Sequence, residues 1–599
     1  MRQCVWLGLL AILGACEVQV QKEDPSEPTD SSDTSASTSS SIGCAAMGLS
    51  VRAYEVTEEE AGFRRVAPDF TVMTLDGEWT LSQEWSGCDT YLFIPSEPRQ
   101  ASGYPESLWS RDVRPFLKEL PDNVHVFFVS NLDARPDVTA ELEELKSTVD
   151  QKLESLGEED VAHWTPRIHY VSKGLPNLNN WVGDYLKSPG WGFGIDRFQR
   201  IRDIGSFANH ERYNESVGWF EPDLSQATHE AVYYNFEAQR QAELDAVEAT
   251  VIRSFDRQWV DDSGWSGVKG YATLALPDAA TMASFDTLEL DVSTDCGGEA
   301  EYGTCPAWDR LVHLYVCDEA AEPNTHKEET CQPYVAKTQK AEAIPADTLA
   351  CNCTQPDGRT EEKTQTCNNE GTGYTDCPCD CDYEAGRWIT TYHREGRWVH
   401  DASYVLPWLQ GGGDKQLAFY TIDPWEITVD ARLSNQSKGG TPTASWPLFT
   451  GGTFNAEYND KYEPITYEIP AEASRVEVSV ILSGHGMENP GNCAEFCNTD
   501  HHFYINGVDH VVDFPYIAEE TRCQEMVSEG TVPNQYGTWF YARSNWCPGM
   551  EVAPIVLDVT DLVTPGQPAV FDYEGFYNGA PYTGSASISL TSWVTVWTP

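Results

Sequence analysis

Eighteen cysteines in a chain of 599 residues constrain this protein more than any other feature of its sequence. So many thiols do not stay unpaired in a reducing compartment unless they bind metal, so what the chain can fold into depends on where it resides. The N-terminus speaks to that. Met1 and Arg2 precede an apolar stretch from Val5 to Ala15, about a third too short to span a bilayer and of the length of a signal-peptide core. Export to an oxidising compartment is therefore expected, with disulfides as the default state of the cysteines. No later segment has the roughly eighteen uninterrupted apolar residues of a membrane helix. The charge excludes a further class of partner: 39 Lys+Arg face 94 Asp+Glu, for a formal net charge of −55. A protein that grips phosphates needs a basic stripe, and no segment read below has one, so nucleic acid is not an expected partner. With 40% apolar and 12% aromatic residues the chain can build ordinary cores, and its length suggests about four domain-sized units.

The apolar stretch ends Leu13-Gly14-Ala15-Cys16, which resembles the bacterial lipobox. The resemblance implies that residues 1–15 are a lipoprotein signal peptide and that Cys16 is acylated. Cys16 would then be the first mature residue and the only membrane contact, anchoring the protein to the cell envelope, at the outer membrane. The alternative is an ordinary signal peptide cut nearby. Residues 16–43 are Ser/Thr-rich and acidic with no aromatic residue, the composition of a solvated tether. Removing Cys4 with the signal and Cys16 to lipid leaves an even number of cysteines to pair.

Residues 44–215 alternate strand and helix patterns. APDFTVMTLDGEWTLSQEWSG reads as two short strands about an Asp76-Gly77 turn, TYLFIPS and VHVFFVSN as apolar strands, and TAELEELKSTVDQKLESLG as an amphipathic helix; the alternation implies an α/β layer fold. The opening, and the later GFGIDRFQRIRDIG, resemble the thioredoxin-like fold of the peroxiredoxin and TlpA type. That family places its redox cysteine after the strand matching TYLFIPS, where this chain reads EPRQASGYPESLW. Without a thiolate there is no thiol exchange, so a redox-inactive scaffold or binding module is expected, with Cys88 bridged to Cys44. Residues 216–250 read as a helical connector, the helix running roughly over 226–250.

From residue 251 onward the strings are β-like: YATLALP, TLELDV, LVHLYV, VEVSVILSG, HHFYING and SISLTSWVTVW, separated by Gly, Pro, Asn and Asp. Such spacing indicates antiparallel sandwiches, and the length suits two, over 251–435 and 436–599. An insertion at about 317–383 carries eight cysteines. Its C-x-C steps and the exported setting favour four disulfides over zinc. Three other cysteine-bounded strings stand out: TDCGGEAEYGTCPAWDR, SGHGMENPGNCAEFCNTDHHFYING and RSNWCPGM. Each sets a carboxylate or guanidinium beside an aromatic residue and a cysteine.

Together with VIRSFD, GRWITTYH and SISLTSWVTVW, these strings resemble the peptide-N-glycosidase F family over about 251–599. The resemblance implies two jelly-roll-like sandwich domains. It also implies an amidase that hydrolyses the asparagine side-chain amide carrying the first GlcNAc of an N-linked glycan, acting on N-glycosylated proteins or glycopeptides without a cofactor. Residue by residue, it implies that Asp309 is the catalytic aspartate and Glu495 a second essential carboxylate, and that Arg310, Arg543 and Trp546 contact substrate. It also implies the disulfides Cys296–Cys305, Cys493–Cys497 and Cys523–Cys547. The chemistry is intelligible from the groups, since an amide carbonyl is a poor electrophile: a carboxylate must activate water while donors hold the oxyanion and the leaving nitrogen. In the chain-entropy view a Cys493–Cys497 bridge contributes only about 2 kcal/mol, against roughly 3.5 for Cys523–Cys547. The small ring is poor reinforcement, and its use is expected to be fixing the loop that presents Glu495.

Three departures bear on activity. The family's third acidic residue follows a Tyr-Thr pair and precedes a Trp by two. Here Tyr420-Thr421 leads into Ile422, Asp423, Pro424 and Trp425. One register gives Ile422; a one-residue insertion gives Asp423 as the acid and Trp425 as its substrate-facing partner. The glycan-facing SGWGH string is SGHGM here, with His485 in place of a Trp and Met487 in place of a His, so the sugar contacts should differ. The third departure is the cysteine-rich insertion itself. Two competing readings remain at this stage: a catalytically silent glycan-binding relative, and a copper-dependent monooxygenase-like protein using His485, Met487 and His501 or its neighbour His502. The expected architecture is thus multidomain: an α/β thioredoxin-like domain followed by two antiparallel β-sandwiches.

Overall fold

In the computed structural model, residues 44–599 are described except 97–107, 111, 132–137, 188–191, 217 and 261–267 and, around the cysteine-rich insertion, 318–319, 322–323, 327, 334–344, 355–359, 368–370, 375–376, 378 and 380. Cys16, with the rest of residues 1–43, lies outside the described residues, as does most of the stretch after TYLFIPS. Among the described residues no helix is long and apolar enough to cross a membrane.

Thr90–Pro95 shows no polar alternation, and all six of its positions are buried. A strand of that kind must be covered on both faces. It is the middle of five: Val124–Val129 pairs with it in parallel, Ile168–Tyr170 continues the parallel run, and Phe193–Ile195 and Ile201–Asp203 follow antiparallel on the other side. One face is covered by Phe116 and Leu117 from helix Val113–Glu119 and by Leu142, Val149 and Leu153 from helix Thr139–Leu156. The other carries the hairpin of Thr71–Thr74 and Gly77–Thr80 and helix Trp181–Lys187. Cys44 is disulfide-bonded to Cys88.

The expected connector helix spans Thr228–Ala246, but it does not merely connect. Ala231, Tyr233 and Tyr234 are buried in the same core as Leu92, Ile94 and Phe128 of the α/β sheet. That core continues into the C-terminal half through Val527, Val532, Trp539, Phe540 and Ala542. The helix's buried residues are mostly small, tyrosyl or charged, with Leu244 the one large aliphatic side chain among them, so a reading that seeks aliphatic periodicity undervalues it.

The alternating strands of 251–435 form two four-stranded antiparallel sheets. In spatial order one is Thr250–Val260, Trp425–Ser434, Thr287–Asp295 and Gly396–Asp401; the other is Val268–Asp278, Gly412–Thr421, Leu311–Val316 and Tyr383–Ile389. Between the last two strands in sequence sits the insertion, a small sheet of Ala320–Ala321, Thr348–Thr354 and Thr360–Thr366. Its eight cysteines pair as Cys317–Cys381, Cys331–Cys367, Cys351–Cys377 and Cys353–Cys379. The second sandwich repeats the architecture. Thr441–Phe454, Ala586–Thr598, Arg475–His485 and Ile555–Asp558 form one sheet, and Ile465–Glu468, Pro568–Phe576, Asp500–Ile505 and Val508–Val512 the other.

The two sandwiches share a core: Ile481, Trp546, Val552 and Trp593 of the second pack with Trp388, Trp398 and Val405 of the first. Backbone bonds join them as well. Gly549 N–H donates to the Ile389 carbonyl, Ile389 N–H to Met550, and Val552 N–H to Arg387, at 3.1, 2.9 and 2.8 Å. This covers the edge strand Tyr383–Ile389 of the first sandwich, which would otherwise be left open.

Candidate active site

Asp309 sits just before strand Leu311–Val316, whose neighbour Tyr383–Ile389 ends in the loop Thr390–Arg394. The two chain ends therefore emerge side by side, and Thr390 staples them. Arg310 N–H donates to the Thr390 hydroxyl at 2.8 Å, that hydroxyl donates to the Trp308 carbonyl at 2.9 Å, and Thr390 N–H donates to the Arg310 carbonyl at 2.9 Å. His393 N–H adds a bond to the Pro306 carbonyl at 2.8 Å. The Cys296–Cys305 disulfide closes the preceding ring.

Glu495 comes from the second sandwich, inside the Cys493–Cys497 ring. Its N–H bonds the Gly486 carbonyl at 3.0 Å, its carbonyl accepts from Ser544 N–H at 3.0 Å, and Gly486 N–H reaches its carboxylate at 3.3 Å. Gly484 lets these segments approach, since a Cβ there would collide with the Ala494 carbonyl and the Ser544 side chain. The ring thus has both of the neighbours that fix its one carboxylate.

Arg543 joins the two carboxylates. Its guanidinium is almost fully buried, with Nη2 3.5 Å from Asp309 Oδ2 and Nε 3.6 Å from Glu495 Oε1. Nη1 is spent on the Thr538 and Tyr541 carbonyls at 2.9 and 2.6 Å. These carboxylate distances exceed a tight charge-assisted bond, which leaves carboxylate lone pairs for water or substrate. Burial pushes the Asp309 carboxyl above its ordinary value, against the pull of the Arg543 charge and the Tyr392 hydroxyl. Burial likewise raises Glu495, Arg543 opposes it, and the Asp309 charge adds to the rise. Burial, only partly offset by one guanidinium shared between two acids, holds both nearer to neutrality than a surface carboxylate.

The other expected site residues divide. Asp423 Oδ2 lies 3.9 Å from Arg310 Nε, so the inserted register brings an acid to the residue after Asp309; burial raises the Asp423 carboxyl and Arg310 lowers it. Trp425, expected to face substrate, is fully buried in the first sandwich, as the inward partner of an alternating strand. Trp546 and Arg543 are also interior, at 6% and 1% exposure, and the indole N–H of Trp546 is spent on the Gly484 carbonyl at 2.9 Å. They hold the site from behind. His485 is half-buried, stacked on Trp546 with ring centroids 5.3 Å apart.

The alternative metal ligands are dispersed. His501 is fully buried, with one ring nitrogen 2.7 Å from the Tyr573 hydroxyl and the other 2.9 Å from Thr499 Oγ1, while Met487 is 67% exposed. His502 Nδ1 faces Asp509 at 2.9 Å. Among the described residues the groups with three convergent Cys, His, Asp or Glu ligands contain no His, and all their cysteines are disulfide-bonded.

Residues 453–590 match the family model for peptide-N-glycosidase F, C terminal. The second sandwich is peptide-N-glycosidase F-like. The match takes in Glu495, Arg543 and Trp546, while Asp309 lies upstream of it. No curated protein matches the chain. Among solved structures, PNGase F, a glycosylasparaginase from Flavobacterium meningosepticum, is similar at 18% identity and a TM-score of 0.39, over 59% of this chain and 96% of that one. A peptide-N(4)-(N-acetyl-β-D-glucosaminyl) asparagine amidase is similar at 17% identity, TM-score 0.39, over the same shares. PNGF-II is similar at 13% identity and 0.37, over 59% of this chain and 65% of that one.

Sequence reasoning left three residues at this site unassigned. Tyr392 touches both Asp309 and Arg543, its hydroxyl 3.4 Å from Arg543 Nη2. Thr390 is the staple. Trp308 is 57% exposed beside Asp309, with the Arg310 guanidinium 5.7 Å from its ring centroid. It lies in the quoted CPAWDR string, yet only exposure separates a binding tryptophan from a core one.

Proposed function

We propose that this protein is an exported amidase that hydrolyses the asparagine side-chain amide bearing the first GlcNAc of an N-linked glycan, converting Asn to Asp. The observation that carries the reading is the convergence of Asp309 and Glu495, from two different sandwiches, on the single buried guanidinium of Arg543. Asp309 takes a proton from water as the water oxygen bonds the amide carbon. The carbon–nitrogen bond then breaks and the leaving nitrogen receives the proton, giving a carboxylic acid and a glycosylamine. Glu495 and Arg310 orient the amide and its sugar, Asp423 holds Arg310, and Arg543 sets the spacing and ionisation of the two acids. Trp308, the exposed indole at the site, takes the role of sugar platform that Trp425 and Trp546 cannot fill from the interior. The steps use this chain's own groups.

The anchoring of Cys16 to the outer membrane and a redox-inactive thioredoxin-like character for 44–215 belong to the same reading. They are supported by the lipobox-like string and by the absence of a cysteine in EPRQASGYPESLW; the eight disulfides among the described residues suit an oxidising compartment. Incubation of purified protein with denatured N-glycopeptides in chelator tests the reading. Released glycan with Asn converted to Asp is expected. Intact glycopeptides that nonetheless bind would make the protein a lectin-like relative instead.

A further inference from the structure

A chain of hydrogen bonds runs from the first sandwich to the rim of the site and leaves one group without an acceptor among the described residues. Glu384 and Arg387, on strand Tyr383–Ile389, are both 1% exposed and form a bidentate pair, Arg387 Nε and Nη2 donating to Glu384 at 2.8 and 2.7 Å. His313 Nδ1 meets the same carboxylate at 2.6 Å. Arg387 Nη1 crosses to the second sandwich, donating to the Ser589 carbonyl at 2.7 Å and to Ser483 Oγ at 3.1 Å. A guanidinium only donates, so Ser483 Oγ is an acceptor there. The Ser483 hydroxyl is itself fully buried and must place its own proton. Among the described residues the acceptor available to it is His485 Nε2, at 2.8 Å.

That count fixes the imidazole. Nε2 accepts, so the ring proton resides on Nδ1. Burial, with the Arg387 and His313 charges adding to it, pushes the His485 pKa down to about 3, so the ring stays neutral. Its face is stacked on Trp546, interplanar angle 28°. The next residue, Gly486, donates its N–H to Glu495. Among the described residues nothing accepts from Nδ1–H.

We infer that His485 is a specificity-determining residue, a fixed neutral donor whose Nδ1–H bonds an uncharged oxygen of the glycan, a hydroxyl or N-acetyl oxygen, with Ser483 and Arg387 as its positioning residues. Only the identification of the ligand as a glycan rests on the amidase reading. A ring that gripped a sugar by its face alone would need no such chain behind it.

Two measurements on the full-length protein test this. NMR of isotope-labelled histidine, with His485 assigned by its loss in His485→Phe, should show the Nδ1–H form, shifting to a mixture in Ser483→Ala. An Nε2–H form in the unmutated protein would overturn the inference. Second, di-N-acetylchitobiose binding is compared across variants. His485→Phe keeps a ring over Trp546 and removes the donor, and should weaken binding and raise KM about three- to tenfold, with kcat within about twofold. His485→Asn, whose amide N–H replaces Nδ1–H, should recover most of the loss. Equal affinity in the wild type and the Phe variant, or a wild type that does not bind chitobiose, contradicts the proposal. A wild type that binds through His485 yet releases no glycan leaves the inference standing and removes the amidase reading.

Discussion

With Arg543 within 4 Å of both Asp309 and Glu495, a change at this one residue moves two titrations together. Replacing it by Met removes the charge that opposes burial, so both carboxyl pKa values rise further. A general base works only when ionised, so the acid limb of the kcat/KM–pH profile should move upward by about one unit or more. An unmoved limb would mean that neither acid serves as the base. In Asp309→Asn turnover should fall by at least about 100-fold. The fold should survive it: the carboxyl pKa is raised in the native state, so the ionised form that Asn replaces is disfavoured by folding at neutral pH. A thermal melt beside the activity assay checks both halves. Trp308→Ala should raise KM with little loss of stability, because the ring is mostly exposed.

At the scale of elements, the Cys493–Cys497 ring separates folding from function. Replacing both cysteines by Ser removes a constraint of only about 2 kcal/mol, whereas Glu495 loses the ring that presents it. Turnover should drop well beyond what the urea midpoint explains, and parallel losses would assign the ring to reinforcement. This element was legible in the sequence because five consecutive residues carry its chemistry. The sandwiches were legible for a similar reason, since alternation such as TLELDV declares which face is inside. Alternation does not say what lies across the core, and so it did not show that Trp425 and Trp546 sit inside. An indole beside a catalytic string reads the same whether it faces solvent or, as here, the partner sheet. The disulfide connectivity of the insertion was hidden because eight cysteines admit about a hundred pairings, and Tyr392 and Thr390 were hidden because their roles arise from a strand pairing distant in sequence.

On the scale of the whole molecule, the α/β unit is built into the half that carries the candidate site. Arg394, buried at the junction, donates to Glu230 of helix Thr228–Ala246 at 2.7 Å, to Glu301 of the Cys296–Cys305 ring at 2.8 Å and to the Pro533 carbonyl at 2.7 Å. Gly205 makes room there: any Cβ would collide with the Asn534 carbonyl, which accepts from Ser206 N–H at 2.6 Å. Glu230→Ala, which removes one of the two carboxylates on the buried Arg394 guanidinium and leaves Glu301 on it, should cost about 1.5–3 kcal/mol in chemical denaturation; a change under about 1 kcal/mol would show the junction to be dispensable. A fragment of residues 251–599 exposes Val532, Trp539 and Phe540 and should aggregate or lose activity, where a redox-inactive appendage would be removed without effect. All of this organisation serves one claim, that Asp309 activates water against an N-glycan amide. Digestion of an N-glycopeptide in heavy-oxygen water, with chelator present, tests it most directly by mass spectrometry. The account predicts free glycan and one heavy oxygen in the new Asp carboxylate, both absent with Asp309→Asn. A glycopeptide left intact, or one deglycosylated equally well by Asp309→Asn, would contradict it.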